Sequence, residues 1–105
     1  MAFTHTLEQR RFSAEKLQKL NLFETEQMFC DVYCLEPGQA QKPHAHEGAT
    51  KFYYVIEGEG SFTSGETVET LGPGGLAWSG SGEVHGVENR SAERLVLLVS
   101  MAPRP

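Results

Sequence analysis

Three histidines are the residues of this sequence best suited to chemistry. His44 and His46 are two positions apart. Residues i and i+2 of a β-strand point to the same face, so these two imidazoles could converge on one point. His85 comes much later in the chain, and a rolled sheet could bring it opposite the pair as a third metal ligand. Spacing alone leaves a second interpretation open, in which the pair consists of surface or hydrogen-bonded histidines.

The ligand type narrows the choice of metal. Three neutral imidazoles would leave the full charge of a divalent ion and open positions for water or a substrate. Imidazole suits Zn, Fe, Ni and Cu, whereas the lack of carboxylate ligands makes Mg and Ca poor choices. The expected cofactor is therefore a divalent transition metal of undecided identity, and an anionic, chelating molecule would suit it.

The elements that must position these histidines are predicted to be almost entirely β-strands. From Met28 onward, short runs rich in Val, Phe, Tyr and Thr alternate with glycine-bearing turns. One short helix is expected before them, capped by Ser13 and continuing to Leu20. Many short strands predict a sandwich or barrel. The predicted strands are Met28–Leu35, Pro43–His46, Lys51–Ile56, Gly60–Thr63, Thr67–Thr70, Leu76–Trp78, Val84–Val87 and Leu95–Met101.

The residues around the histidines resemble the two sequence motifs of the cupin superfamily, Gly-x5-His-x-His-x3-4-Glu-x6-Gly and Gly-x5-Pro-x-Gly-x2-His-x3-Asn. The resemblance implies an all-β fold, the double-stranded β-helix or jelly-roll barrel. It also implies that His44, His46 and His85 hold a divalent metal near the barrel mouth. The matching residues are Gly38, His44, His46 and Gly58 in the first motif, and Gly74, Gly82, His85 and Asn89 in the second.

The sequence departs from these motifs at two positions. Gly80 replaces the proline of the second motif, which loosens a turn. Lys51 replaces the glutamate of the first motif, so an ammonium group stands where an anionic ligand is expected. Two positive charges about 4 Å apart repel by about 4 kcal/mol at an effective dielectric constant near 20. Lys51 must therefore turn away from a metal or lose its proton.

Three interpretations of Lys51 follow. In the one we favour, its long stem reaches past the rim and pairs with a glutamate such as Glu57 or Glu66, which leaves a three-histidine site. In the second, it is a partly desolvated lysine of lowered pKa that serves as a base or carbonyl trap. In the third, the metal has been lost.

Aromatic side chains are expected to form an apolar cup around the metal. The motif register places Tyr53 inside the barrel on the same strand face as Lys51, and these two residues are the candidate catalytic groups. Phe62 and Trp78 are expected to line the same cup. Plain core packing is the alternative for each ring.

Composition and charge exclude other classes of function. The 105 residues suit one domain, and 14 acidic against 9 basic residues give a formal net charge of -5. Nucleic acid and anionic membranes are therefore unexpected partners. Without a transmembrane segment or the apolar core of a signal peptide, a cytoplasmic location is expected. Cys30 and Cys34 are too far apart along one strand to form a disulfide, so packed thiols are expected.

The expected organisation is a single cupin domain with an N-terminal arm over residues 1–26, a barrel over residues 27–101 and a tail over residues 102–105. The resemblance implies a homodimer. The leading hypothesis is a metal-dependent cupin acting on a small polar or anionic molecule by oxygenase, isomerase or lyase chemistry. The alternative is a non-catalytic module that binds a small ligand for sensing or storage. Apolar surface for the dimer is offered by Phe3, Phe12, Leu22 and Phe23.

Overall fold

The computed structural model of this chain describes residues 1–104, which form nine β-strands and one short 3₁₀ helix. No helix within these residues has the length and apolar character needed to cross a membrane. The helix covers Thr6–Gln9. The strands are β1 Gln18–Glu24, β2 Phe29–Leu35, β3 Ala40–His44, β4 Thr50–Glu57, β5 Gly60–Ser64, β6 Thr67–Leu71, β7 Leu76–Ser79, β8 His85–Glu88 and β9 Leu95–Ala102.

The strands form two antiparallel sheets. A five-stranded sheet has the order β1-β2-β9-β4-β7, and a four-stranded sheet has the order β3-β8-β5-β6. The predicted double-stranded β-helix is confirmed, and all eight predicted strands are present with boundaries shifted by a few residues. The core consists of Tyr33, Leu35, Tyr53, Val55, Phe62, Val87, Leu95, Leu97 and Val99.

The central strands β2 and β9 are buried on both faces, which explains why their sequences are nearly continuous apolar runs. In β9, Leu95 and Leu97 point into the core, whereas Val96 packs on the outer face of the sheet with Val32 and Cys34. Fully burying such a side chain contributes about 1.5–3 kcal/mol. Two layers of packing therefore hold the five-stranded sheet in place.

The segment before β1 lies against the outer packing layer. Phe12 packs on this layer, and Arg10 forms an ion pair with Glu57 at 2.7 Å. Cys30 and Cys34 are buried free thiols, as predicted, and burial raises the pKa of both.

The helix predicted from Ser13 to Leu20 is wrong. Gln18–Glu24 is instead the edge strand β1, in which Leu20 lies opposite Val32 of β2. An isolated two-turn helix is marginal in water, whereas an extended segment gains hydrogen bonds from the edge of β2 and partly buries Leu20. Part of the expected N-terminal arm therefore belongs to the sheet.

The C-terminal tail leaves the sheet after Ala102, the last residue of β9. Arg104 then pairs with Glu24 at 2.6 Å, so this residue contacts the end of β1. Pro105, the last residue of the expected tail, lies outside the described residues.

The turn between β4 and β5 depends on Gly58. Its φ of +85° is in the left-handed region, and a Cβ at this position would overlap the carbonyl oxygen of Arg94. Alanine would therefore suffer both backbone strain and a clash with backbone atoms.

We expect Gly58→Ala to lower the free energy of unfolding by about 2 kcal/mol or more. The matched control is Gly72→Ala, because a Cβ at Gly72 meets nothing within 4 Å and its φ is not positive. Chemical and thermal unfolding measure both variants. An equal loss of stability in both would contradict this account of the turn.

Candidate metal centre

The three histidines come together at one end of the barrel, between the two sheets. His44 ends β3 and lies directly opposite His85, the first residue of β8, so both imidazoles project from the same face. His46 lies just beyond β3. The ring centroid of His44 is 4.7 Å from that of His46 and 4.4 Å from that of His85. One nitrogen atom from each ring lies within 4.8 Å of the others.

Backbone carbonyls set the orientation of two of these rings. The Nδ1 atom of His44 is 2.9 Å from the carbonyl oxygen of Lys42, and Nδ1 of His85 is 3.0 Å from that of Glu83. Because a carbonyl only accepts hydrogen bonds, Nδ1 must carry the proton in both rings. Each Nε2 atom then carries the lone pair that a metal ligand requires.

His85 provides the test of whether a metal fits. The residue is 4% exposed, and its Nε2 is the only buried side-chain nitrogen or oxygen of residues 1–104 without a hydrogen-bond partner in the protein. Leaving such an atom unsatisfied costs about 1–3 kcal/mol. A cation among the three rings would satisfy it, so the donor set fits a metal ion.

The surroundings of His46 and His85 favour the neutral form of these two imidazoles. Burial is the main cause that lowers the pKa of His46 and of His85, and the neighbouring charges of His44 and Lys51 lower both further. Neutral imidazole is the form that binds metal.

Lys51 is buried beside the histidines, so the pairing with Glu57 or Glu66 that we favoured is wrong. Its side chain points between the sheets and is 3% exposed, and Glu57 pairs with Arg10 instead. The Nζ atom donates to Oε1 of Gln41 at 3.1 Å and lies 3.5 Å from Nε2 of His44. Lys51 lies opposite Met101 of β9, and its side chain points inward from β4. Its aliphatic stem therefore does not reach the rim of the barrel.

The environment of Lys51 matches the premise of the second interpretation, a desolvated lysine. Burial, together with a smaller contribution from the charge of Lys19, lowers its pKa to about 8, while the charge of Asp31 opposes the shift. The Nζ atom lies 5.1 Å from the ring centroid of Tyr53 and 5.8 Å from that of Tyr33. These aromatic faces replace part of the lost hydration of the ammonium.

Gln41 is the site residue that the sequence analysis missed. Its Oε1 accepts hydrogen bonds from Lys51 and from the hydroxyl of Tyr53, and its Nε2 donates to the hydroxyl of Tyr33 at 3.4 Å. One amide therefore links β3 to both β4 and β2. The signal in the sequence was a polar side chain shortly before the His-x-His pair. The bulge between Gln41 and His44 interrupts the alternation of side chains, so the sequence alone does not show which face of the strand Gln41 occupies.

Tyr53 lies inside the barrel as predicted, whereas Trp78 does not. The Tyr53 ring is 3% exposed and lies 5.6 Å from that of Phe62. Trp78 is 68% exposed, because it pairs with Phe52, which points to the outer face of β4. The residue that faces Tyr53 from β7 is Ala77.

A cavity of about 360 Å³ opens beside His44 and His46. A larger cleft of about 720 Å³ lies between the N-terminal segment and the turn before β3 and contains no histidine. We therefore take the smaller cavity as the site. It is lined by Lys19, Phe29, Asp31, Tyr33, Gln41, His44, His46, Lys51 and Met101.

Comparison with known proteins identifies the family. Residues 31–101 match the family model of the cupin domain, and the chain belongs to this family. A solved structure from Thermus thermophilus is 45% identical with a TM-score of 0.97, and the alignment covers 100% of both chains.

Two further matches come from Thermotoga maritima. An oxalate-binding protein is 36% identical over 55 residues, a match that covers 52% of this chain and only 46% of that protein. The solved structure of a predicted oxalate decarboxylase is 25% identical with a TM-score of 0.78, covering 82% of this chain and 79% of that one.

We expect the imidazoles of His46 and His85 in the metal-free protein to titrate below the ordinary value of 6.5. The unfolded chain then takes up these protons at a higher pH than the folded chain, so the free energy of unfolding falls as the pH drops through about 6.5. NMR titration of the ring carbons measures both sites, and His46→Gln and His85→Gln assign the signals. Titration of either ring above 6.5 would contradict the burial described here.

Proposed function

We propose that this protein holds a divalent transition metal on His44, His46 and His85 and binds a small carboxylate anion beside it. The single observation that carries the proposal is the buried, unpartnered Nε2 of His85, in a ring whose ligand nitrogen lies within 4.8 Å of those of the two other imidazoles. When bound, such a metal supplies Lewis acidity or an oxygen-binding centre.

The charges of the site favour an anionic ligand. The three candidate ligands are imidazoles, which carry no charge of their own when they bind a metal, and Lys51 adds an ammonium 3.5 Å from Nε2 of His44. Asp31 is the only carboxylate that lines the cavity. An anion would therefore neutralise a site that a cation at the three histidines would leave strongly positive.

Lys51 and Tyr53 have different roles in this proposal. The Nζ atom of Lys51 reaches the histidines and can donate a charge-assisted hydrogen bond to a ligand oxygen. The hydroxyl of Tyr53 is held by Gln41, the same amide that holds Lys51. Tyr53 thus orients Lys51 through Gln41, and the Thermotoga maritima relatives make oxalate the first ligand to test.

Metal analysis tests the ligand set. We expect about one transition metal ion per chain in protein purified without chelator or nickel resin, and at least about tenfold weaker metal binding in His44→Ala, His46→Ala and His85→Ala. His5→Ala is the matched control, because His5 lies outside the cluster and caps the 3₁₀ helix. Unchanged metal content in His85→Ala would overturn the proposal.

Calorimetric titration of the metal-loaded protein with oxalate tests the role of Lys51. We expect Lys51→Met to weaken oxalate binding about tenfold to a hundredfold, the effect of losing one charge-assisted hydrogen bond, while metal is retained. Lys51→Glu should bind the metal more tightly and oxalate more weakly still, since it supplies a carboxylate of its own.

The control for both variants is Lys16→Met, a surface lysine outside the cavity. Oxalate binding of wild-type strength in Lys51→Met would show that the ammonium does not contact the anion. Consumption of oxalate or oxygen in the same samples distinguishes an enzyme from a binding module.

A further inference from the structure

A second lysine lines the cavity and has no role in the site described so far. Lys19 is on β1, directly opposite Tyr33 of β2. Its Nζ atom lies 5.3 Å from the centroid of the Tyr33 ring, and Nζ of Lys51 lies 5.8 Å from the same centroid. The two ammonium groups therefore face one ring, from the entrance and from the interior of the same cavity.

Neither ammonium group has a carboxylate partner. Among residues 1–104, no ion pair within 4.0 Å includes Lys19 or Lys51. The carboxylate of Asp31 also lines the cavity, but its Oδ1 accepts a hydrogen bond from Asn21 at 2.8 Å. One carboxylate cannot balance two ammonium groups, so the cavity retains a positive charge even without a metal.

The size of the cavity indicates a ligand larger than oxalate. A volume of about 360 Å³ falls within the range typical of sites for larger organic ligands. Phe29 of β2 and Met101 of β9 supply an apolar wall of the cavity. In the sheet these two strands lie between β1, which carries Lys19, and β4, which carries Lys51. Such a wall suits a carbon chain.

We propose that the cavity binds a dianion whose two acid groups are joined by a short carbon chain. One acid group lies at the histidines and Lys51, the second pairs with Lys19, and the chain packs against Phe29 and Met101. The placement of the first acid group rests on the function proposed above.

A series of ligands titrated into the zinc-loaded protein tests this proposal. The probes are oxalate, succinate, glutarate and butyrate, which matches succinate in length but lacks the second acid group. We expect succinate or glutarate to bind at least about fivefold more tightly than butyrate, as expected for one partly exposed ion pair. Equal binding of butyrate and both longer dicarboxylates would overturn the inference.

Lys19→Gln provides the residue-level test. We expect it to remove the preference for the longer dicarboxylates over butyrate and to leave oxalate binding within about twofold of wild type, because in this proposal oxalate occupies only the position at the histidines and Lys51. Lys16→Gln, a change at a surface lysine outside the cavity, is the matched control and should leave the whole series unchanged. An unaltered preference in Lys19→Gln, or equal losses for oxalate and glutarate, would overturn the assignment of Lys19.

Two further outcomes separate this inference from the proposed function. If oxalate binds with the expected dependence on Lys51 but chain length has no effect, only the dianion proposal fails. If neither oxalate nor the longer acids bind to the metal-loaded wild type, the proposed function fails.

Asp31→Asn should bind glutarate as well as wild type or better. Weaker glutarate binding by this variant, together with tight binding of the zwitterion 4-aminobutyrate by wild type, would show that the cavity selects a cationic group instead.

Discussion

The pairing of β3 with β8 is the constraint on which the site depends. It places His44 directly opposite His85 on the inner face, although the two residues are far apart in the chain. The strands approach closely because residue 86 is glycine: a Cβ there would lie 2.9 Å from the backbone oxygen of Gln41 and the nitrogen of Pro43. A bulge between Gln41 and His44 then aims both Gln41 and the histidine into the barrel. Without this close pairing of β3 with β8, the three imidazoles would not converge on one point.

Burial of Lys51 is the second feature that shapes the chemistry. Burying an ammonium without partners between two sheets would cost much free energy. Lys51 is compensated by the side-chain amide oxygen of Gln41 and by the ring faces of Tyr33 and Tyr53. The same amide satisfies the phenol of Tyr53, so lysine, amide and tyrosine form one unit. Where the family motif has a metal-binding carboxylate, this chain has the ammonium group of Lys51.

Much of the architecture could be predicted from local patterns. The alternating apolar runs and the glycine-bearing turns indicated the strands from β2 to β9, because side chains alternate between faces with a period of two residues. The motif spacing indicated all three histidines. The N-terminal segment was harder, since the leucines at positions 17 and 20 fit a helix and those at positions 20 and 22 fit a strand. Only the free edge of β2 decides between these two patterns.

The sequence by itself determined the family, the strands from β2 to β9 and the three histidines that cluster, because motif spacing and periodicity are local properties. Only the tertiary structure decided where the polar side chains go. Lys51 turned inward to Gln41 although glutamates were available at the rim, and Trp78 took the outer face because its partner in the register is Phe52. The physical reason is that the burial of a side chain, and the partner that compensates it, depend on strands far apart in the chain that meet only when the two sheets close.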